Sequence, residues 1–190
     1  MKSALALLLV NATTAHETLS PDHLNAVARK GWKATSPADP LAPIRLTIAL
    51  RQENVDQLQE TLHDISNPAS ANYGQFLTHQ QLNDLVAPSP ETLHTVTTWL
   101  SQHTAIDTTF AATPNKDFLH VDLTVGEAEQ LLSAKYVTYT QQDTGRTITR
   151  LAPSTKYTLP PQVASAVDFV GPTLTFPPPT FKADNVKAPM

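Results

Sequence analysis

The sequence of 190 residues contains no cysteine, which excludes disulfide bonds, thiolate metal sites and thiol catalysis. It has only five glycines, too few and too scattered for a phosphate-binding loop, and no Gly-x-Ser-x-Gly segment that would mark a nucleophilic serine. Lysine and arginine form no long run and the formal net charge is −4, which argues against nucleic acid as a partner. These absences exclude the commonest enzyme motifs and predict a domain without catalytic residues.

Long apolar runs are missing as well. The longest N-terminal run, Ala4 to Val10, has seven residues and is too short to cross a bilayer. Lys2 precedes it and small residues follow it up to Ala15, which is the layout of a secretory signal peptide. We therefore predict a signal peptide over residues 1–15 and a secreted, extracellular protein with no membrane contact after cleavage. An apolar N-terminal strand or helix is the alternative.

Seven histidines raise the question of a metal site, but no two of them show the i, i+4 spacing of zinc ligands on a helix. The pair His16-Glu17 begins a metalloprotease-like motif that fails at Ser20. We expect neither a metal nor a cofactor in this chain.

Glu60 and Asp64 are the best candidates for paired carboxylates. They stand at i, i+4 on a predicted helix, where two carboxylates could raise each other's pKa for acid-base catalysis. A solvated helix face is the preferred explanation, because no activated serine accompanies them.

The first half of the chain predicts an N-terminal arm, a strand and three helices. The arm covers residues 16–43, with a short helix possible over 22–30. Residues 44–51 alternate between apolar and polar side chains, as a half-buried strand does. Three helices follow, with N-caps at Asn54, Thr78 and Ser89, and the apolar face of the third is expected to be core.

The second half predicts more strands. Residues 118–124 alternate, residues 125–132 suit a helix, and strands at 136–140 and 146–150 flank a hairpin turn. This order predicts an α+β fold of ferredoxin-like type, with an antiparallel sheet and helices packed on one face. The core should span residues 44–171, including a short helix near 162–167, and a proline-rich linker or tail should occupy residues 172–190.

Two groups of residues, separated but in a fixed order, give the chain a family resemblance. They are Trp32, Pro68, Tyr73, Gly74 and Trp99 in the first half, and Tyr157, Pro160, Asp168 and Pro172 in the second. In this arrangement the chain resembles the activation domain, or propeptide, of the sedolisin family of serine-carboxyl peptidases, which includes kumamolisin and secreted fungal tripeptidyl peptidases. The likeness covers roughly residues 31–176.

The resemblance implies a function in peptidase maturation. It implies a precursor in which this domain precedes a catalytic domain that uses serine, glutamate and aspartate and binds calcium. No catalytic residue can be assigned to this chain, so the expected role is that of an intramolecular chaperone and inhibitor, removed by acid-triggered processing. The expected partner is a sedolisin-type catalytic domain, in cis or in trans. A stand-alone inhibitor, a truncated relic and an unrelated secreted interaction domain are the alternatives.

Gly74 and Tyr73 carry a structural prediction of their own. We expect Gly74 to allow a turn that is closed to side chains with a Cβ atom, and Tyr73 to bury its ring against the neighbouring helix. The segment around them is expected to be a scaffold loop, with contact to the enzyme as the alternative.

Overall fold

The computed structural model describes residues 14–16, 31–103, 111–153 and 155–177. Most of the predicted signal peptide, the possible helix at 22–30 and the chain from residue 178 lie outside these ranges. Nine strands and five helices lie within them. The strands are β1 Thr14–His16, β2 Trp32–Pro37, β3 Pro43–Leu50, β4 Ala111–Ala112, β5 Phe118–Thr124, β6 Tyr136–Gln141, β7 Thr147–Leu151, β8 Tyr157–Leu159 and β9 Val167–Gly171. The helices are α1 Val55–Ser66, α2 His79–Val86, α3 Pro90–His103, α4 Val125–Leu132 and α5 Pro161–Ala164.

The principal sheet has four strands in the order β4-β5-β3-β9. All neighbours are antiparallel, and β3 lies in the middle with β5 on one side and β9 on the other. The first strand of the unit thus lies between its third and fourth, which is the ferredoxin-like arrangement. The predicted α+β class, with an antiparallel sheet, is confirmed.

Two further sheets were not predicted separately. Strand β2, from the N-terminal arm, pairs with β6 in a three-stranded sheet with β7, and β1 pairs with β8. The helix predicted at 162–167 is partly wrong, because α5 ends at Ala164 and Val167 begins β9. That strand forms because β3 offers it a long-range partner, which local sequence patterns do not reveal.

The main core lies between the four-stranded sheet and two helices. Alternate residues of β3, Ile44 to Leu50, point into it, and Leu46 and Ile48 are completely buried. Each such side chain contributes roughly 1.5–3 kcal/mol through removal of apolar surface from water. Helices α3 and α4 cover this face with Val96, Trp99, Leu100, Val125, Ala128, Leu131 and Leu132. The prediction that helices pack on one face of the sheet is therefore confirmed.

Three of the five described helices have a side-chain hydrogen bond at the N-cap, and α1 and α5 have none. Thr78 and Thr124 each form a capping box with the residue three positions later, and the Ser89 hydroxyl accepts a hydrogen bond from the Thr92 amide. Asn54 lies at the N-cap position of α1 as predicted, but its side chain makes no capping hydrogen bond. This residue is in the left-handed region with φ 52°, and its side-chain amide donates to the Leu85 carbonyl, which links α1 to the end of α2.

Helix α1 is peripheral. Only Ile65 of its residues is buried, whereas Val55 and Leu62 are about half exposed. The apolar positions of α1 recur at the predicted helical spacing, but only the one at its C-terminal end is buried. In the described part of the chain, no helix is both long and apolar enough to cross a membrane.

Candidate interaction surface

No helix in the described ranges covers the face of the four-stranded sheet opposite the core. Because side chains alternate along a strand, the residues that do not point into the core share this second face. We call it the open face. It is formed by Arg45, Thr47, Ala49, Phe118, His120, Asp122 and Phe169.

An ion pair occupies one end of the open face. Arg45 and Asp122 are direct cross-strand partners, and the guanidinium donates from Nε and Nη2 to the two carboxylate oxygens at 2.7 and 2.6 Å. These hydrogen bonds raise the pKa of Arg45 and lower the pKa of Asp122. Both side chains remain about two-thirds exposed, so the pair contributes little to folding and stays accessible to a partner.

A histidine lies in the middle of the open face. His120 is the cross-strand partner of Thr47, and its Nδ1 atom is 3.1 Å from the Thr47 hydroxyl. Its charge would act on Asp122, two residues along the same strand, whose pKa it helps to lower. The centre of the face therefore carries an imidazole side chain within hydrogen-bonding distance of the neighbouring strand.

Two aromatic rings form the other end. Phe118 and Phe169 lie on the strands that flank β3, and both pair with Ala49. Because alanine is small, the two rings meet above it in an edge-to-face arrangement with centroids 6.1 Å apart. Phe169 is 44% exposed, so this end offers apolar surface to a partner.

A second exposed apolar set lies in the turn between α1 and α2. Tyr73 is 57% exposed and Phe76 is 74% exposed, so the prediction that Tyr73 buries its ring is wrong. Gly74 has a φ of 75°, and its amide donates to the Ile65 carbonyl. A Cβ atom at Gly74 would meet no atom within 4 Å, so the backbone angle, not lack of space, favours glycine here.

The first group of signature residues is spread over the domain. Trp32 is buried in a small cluster with Tyr139 and Phe176, whereas Trp99 belongs to the main core. Pro68 is exposed in the turn that follows α1, near Tyr73 and Gly74. The structure therefore does not gather this group into one site.

The second group lies around β8, α5 and β9. The buried Tyr157 hydroxyl accepts a hydrogen bond from the Val170 amide, and the Pro160 carbonyl accepts two bonds at the start of α5. Asp168 lies 3.7 Å from the Arg51 guanidinium. The Pro172 carbonyl accepts from the Tyr136 hydroxyl at 3.2 Å. These contacts organise the end of the domain, and an interface role for them stays a prediction.

Asp64, one of the two carboxylates considered for acid-base chemistry, has a different set of partners from the one predicted. Asp64 accepts hydrogen bonds from Ser70 and Asn72, which lower its pKa instead of raising it. It thereby closes the turn after α1, as a structural residue would. Over the ranges that the structure describes, no group of three or more acidic or histidine side chains is placed to hold a metal ion.

A shallow groove separates α3 from α5. It has a volume of about 430 Å³ and is lined by His94, Trp99, His103, Pro160 and Val163, among others. The His103 ring donates from Nδ1 to the Trp99 carbonyl at 2.8 Å. None of the described residues that line the groove is a carboxylate, lysine or arginine.

Sequence reasoning did not identify the open face as a site. The alternation already placed Arg45 with Thr47, and His120 with Asp122, on common faces of two predicted strands. The register that pairs these residues across more than seventy positions is not encoded locally, and β9 was not predicted. The available signal for this register was the opposite charge of Arg45 and Asp122, which lie on two predicted strands and can pair across them.

The comparisons with known proteins give the family. Residues 30–176 match the family described as Pro-kumamolisin, activation domain. The chain is 42% identical over 149 residues to tripeptidyl-peptidase 1 from Homo sapiens, which covers 78% of this chain and 26% of that protein. The proteins of the same name from Bos taurus and Mus musculus are 41% and 40% identical, with the same coverage. The chain thus spans about a quarter of the length of these relatives, and it belongs to the Pro-kumamolisin activation domain family of the sedolisin peptidases.

Proposed function

We propose that this chain is the propeptide of a secreted, tripeptidyl-peptidase-like sedolisin, and that it acts as an intramolecular chaperone and inhibitor until acid-triggered processing removes it. The observation that carries the proposal is the family match over residues 30–176. The open face supports it, because it supplies a surface for a catalytic domain. The chain itself contributes no catalytic residue and no cofactor, and calcium would belong to the catalytic domain.

The open face would dock the catalytic domain in two ways. Its apolar end, Phe118 and Phe169, would lose exposed surface on contact, which is the main favourable term in association. Its charged end, Arg45 and Asp122, would fix orientation, because a mismatched charge at an interface is unfavourable. A rigid sheet that is already folded offers both groups without an ordering cost.

The same surface would assist folding. A large enzyme with many long-range strand pairs folds slowly and exposes apolar surface on the way. A preformed complementary face binds the native arrangement in preference to unfolded ones and therefore shifts the equilibrium toward it. Chaperoning and inhibition would then use one interface.

Acid would weaken this interface through its central histidine. His120 faces Thr47 across the strand pair, with Asp122 and Arg45 as the charged groups beside it. Protonation would add a positive charge in the middle of the contact, and this is unfavourable when the charge is buried there. We expect a His120→Gln variant to stay bound at a lower pH than the unchanged chain. Release of both at the same pH would exclude His120 as the trigger.

Inhibition of a relative's catalytic domain tests the proposal. We expect the purified chain to inhibit the catalytic domain of human tripeptidyl-peptidase 1 near neutral pH. A Phe169→Asp variant should inhibit at least about tenfold more weakly, because a carboxylate would be buried in an apolar contact. Phe76→Asp is the matched control, since this phenylalanine is more exposed and lies off the open face. Equal inhibition by both variants would place the contact elsewhere, and no inhibition by the unchanged chain would contradict the proposal.

A stand-alone secreted inhibitor remains the second candidate. It would use the same open face but act only in trans. Sequencing the transcript beyond codon 190 separates the two: a continuing frame that encodes a serine-carboxyl catalytic domain supports the propeptide, and a stop codon supports the free inhibitor or a relic.

A further inference from the structure

Helices α1 and α2 and the turn between them, residues 55–86, form a surface with exposed apolar side chains. We call it the α1–α2 surface. On α1, Val55 is 51% exposed and Leu62 is 55% exposed, and in the turn Tyr73 is 57% exposed and Phe76 is 74% exposed. These are four of the six large hydrophobic residues that are exposed in the described ranges. Apolar exposure is therefore concentrated here, which is typical of an interaction surface.

Hydrogen bonds hold the α1–α2 surface in one arrangement. The Gly74 amide donates to the Ile65 carbonyl at 2.9 Å, which fixes the turn to the end of α1. The Asn54 side-chain amide donates to the Leu85 carbonyl at 2.9 Å, which joins the start of α1 to the end of α2. A partner would therefore meet a preformed surface and would not have to order it on binding.

The charge of this part of the molecule has one sign. No lysine or arginine occurs between Arg51 and Lys116. Residues 52–115 contain seven of the 17 acidic residues and none of the 13 basic ones, so their formal charge is −7 and that of the remaining chain is +3. Six of the seven lie in the described ranges, and none of the six forms an ion pair with a described residue: Glu53, Asp56, Glu60, Asp64, Asp84 and Glu91.

Along α1, carboxylates lie beside the exposed apolar side chains. Val55 and Leu62 are seven residues apart, which places them on one stripe of the helix. Asp56 and Glu60 are four residues apart and form a second stripe. Because successive residues of a helix are rotated by about 100°, the second stripe is next to the first. A partner that approaches α1 therefore meets apolar surface with negative charge along one side.

This combination selects among the possible partners. A second copy of the chain, bound by the same surface, would place carboxylates against carboxylates, and an anionic membrane would be repelled in the same way. A helix with apolar residues on one face and lysine or arginine beside them matches both features, because its apolar face can pack along the 12-residue α1 while its charges lie opposite the carboxylates.

We propose that the α1–α2 surface binds a basic amphipathic helix of a second protein. The apolar residues of that helix cover Val55, Leu62 and Phe76, and its lysine or arginine side chains lie opposite Asp56 and Glu60. The inference goes beyond the proposed function and does not rest on it, because no residue of the α1–α2 surface belongs to the open face.

Binding of a synthetic peptide to the 190-residue chain tests the proposal. The probe is a fluorescently labelled amphipathic helix with leucine at the heptad a and d positions and lysine elsewhere, and the control peptide has glutamate in place of every lysine. Near neutral pH, we expect the lysine peptide to bind at least about tenfold more tightly than the glutamate peptide, and added salt to weaken its binding. Equal binding of the two peptides, or no binding of the lysine peptide, would overturn the proposal.

Two pairs of variants locate the contact. Phe76→Ala should weaken binding of the lysine peptide at least about fivefold, whereas Leu41→Ala, which removes another highly exposed apolar side chain, should not change it. Replacing Asp56 by Asn together with Glu60 by Gln should weaken binding at least about threefold and reduce its salt dependence, whereas Asp143→Asn in the turn between β6 and β7 should not. All these side chains are exposed, so we expect every variant to fold. Equal losses in a variant and its control would overturn the proposal.

Other occupants of the surface would give different results. Self-association of the chain that Phe76→Ala abolishes would show that the surface binds a second copy. Binding to vesicles of neutral phospholipid, without binding to the lysine peptide, would show that it binds a membrane. Either result would overturn the proposal. No catalytic domain is used in these experiments, so their failure would leave the proposed function intact.

Discussion

At the scale of single residues, Asp117 is a buried carboxylate whose charge is stabilised by hydrogen bonds. It is 7% exposed, and its carboxylate accepts hydrogen bonds from the Thr113 hydroxyl at 2.6 Å and the Gln52 amide at 2.8 Å. Burial alone would raise the pKa of Asp117, but these bonds, with one from Asn115, outweigh burial and lower it. Asp117 thus ties the end of β3 to the turn before β5.

This arrangement predicts a pH-dependent loss of stability. Because the folded-state pKa of Asp117 is lowered, its contribution is present above the unfolded-state value of about 4 and is lost as pH falls through the folded-state value. An Asp117→Asn variant should be about 1–3 kcal/mol less stable at pH 7, because charged hydrogen bonds are replaced by weaker ones. Urea unfolding at pH 7 and below pH 3 measures this. A difference that stays constant over that range would contradict it.

At the scale of elements, the helix ends show which predictions succeed. Thr78 and Ser89 were predicted as caps, and both accept the expected backbone hydrogen bond, because capping depends on residues only three positions apart. The Thr124 cap follows the same local rule but was not predicted. Asn54 lies at its predicted N-cap position without a capping bond, because its side chain donates to Leu85 of α2, thirty-one residues away. The strands of the open face followed from alternation, whereas their register, and β9, depend on long-range pairing. Local chemistry is therefore predictable from this sequence, and the assembly of the interaction surface is not.

Helix α4 allows the capping prediction to be tested. The Thr124 hydroxyl accepts from the Glu127 amide, and the Glu127 carboxylate accepts from the Thr124 amide at 2.7 Å. Thr124→Ala should lower the free energy of unfolding by about 1 kcal/mol, while Thr124→Ser, which keeps the hydroxyl, should retain most of the stability. Thermal or urea unfolding of both variants gives the comparison. Equal losses would show that the threonine methyl group, not the cap, is what matters.

At the scale of the whole molecule, the two ends of the domain meet. The ring of Trp32 in β2 packs against that of Phe176, and the central strand β3 joins β5 to β9. The described helices cover one face of the four-stranded sheet, and the other face is open. We propose that this open face, and not the exposed turn between α1 and α2, binds the sedolisin catalytic domain.

Hydroxyl-radical footprinting of the chain, alone and bound to a sedolisin catalytic domain, tests this claim most directly. Aromatic side chains exposed on both candidate surfaces serve as internal reporters. We expect oxidation of Phe118 and Phe169 to fall several-fold on binding, while Tyr73 and Phe76 react as before. Protection of Tyr73 and Phe76 with unchanged reaction at Phe169 would contradict it.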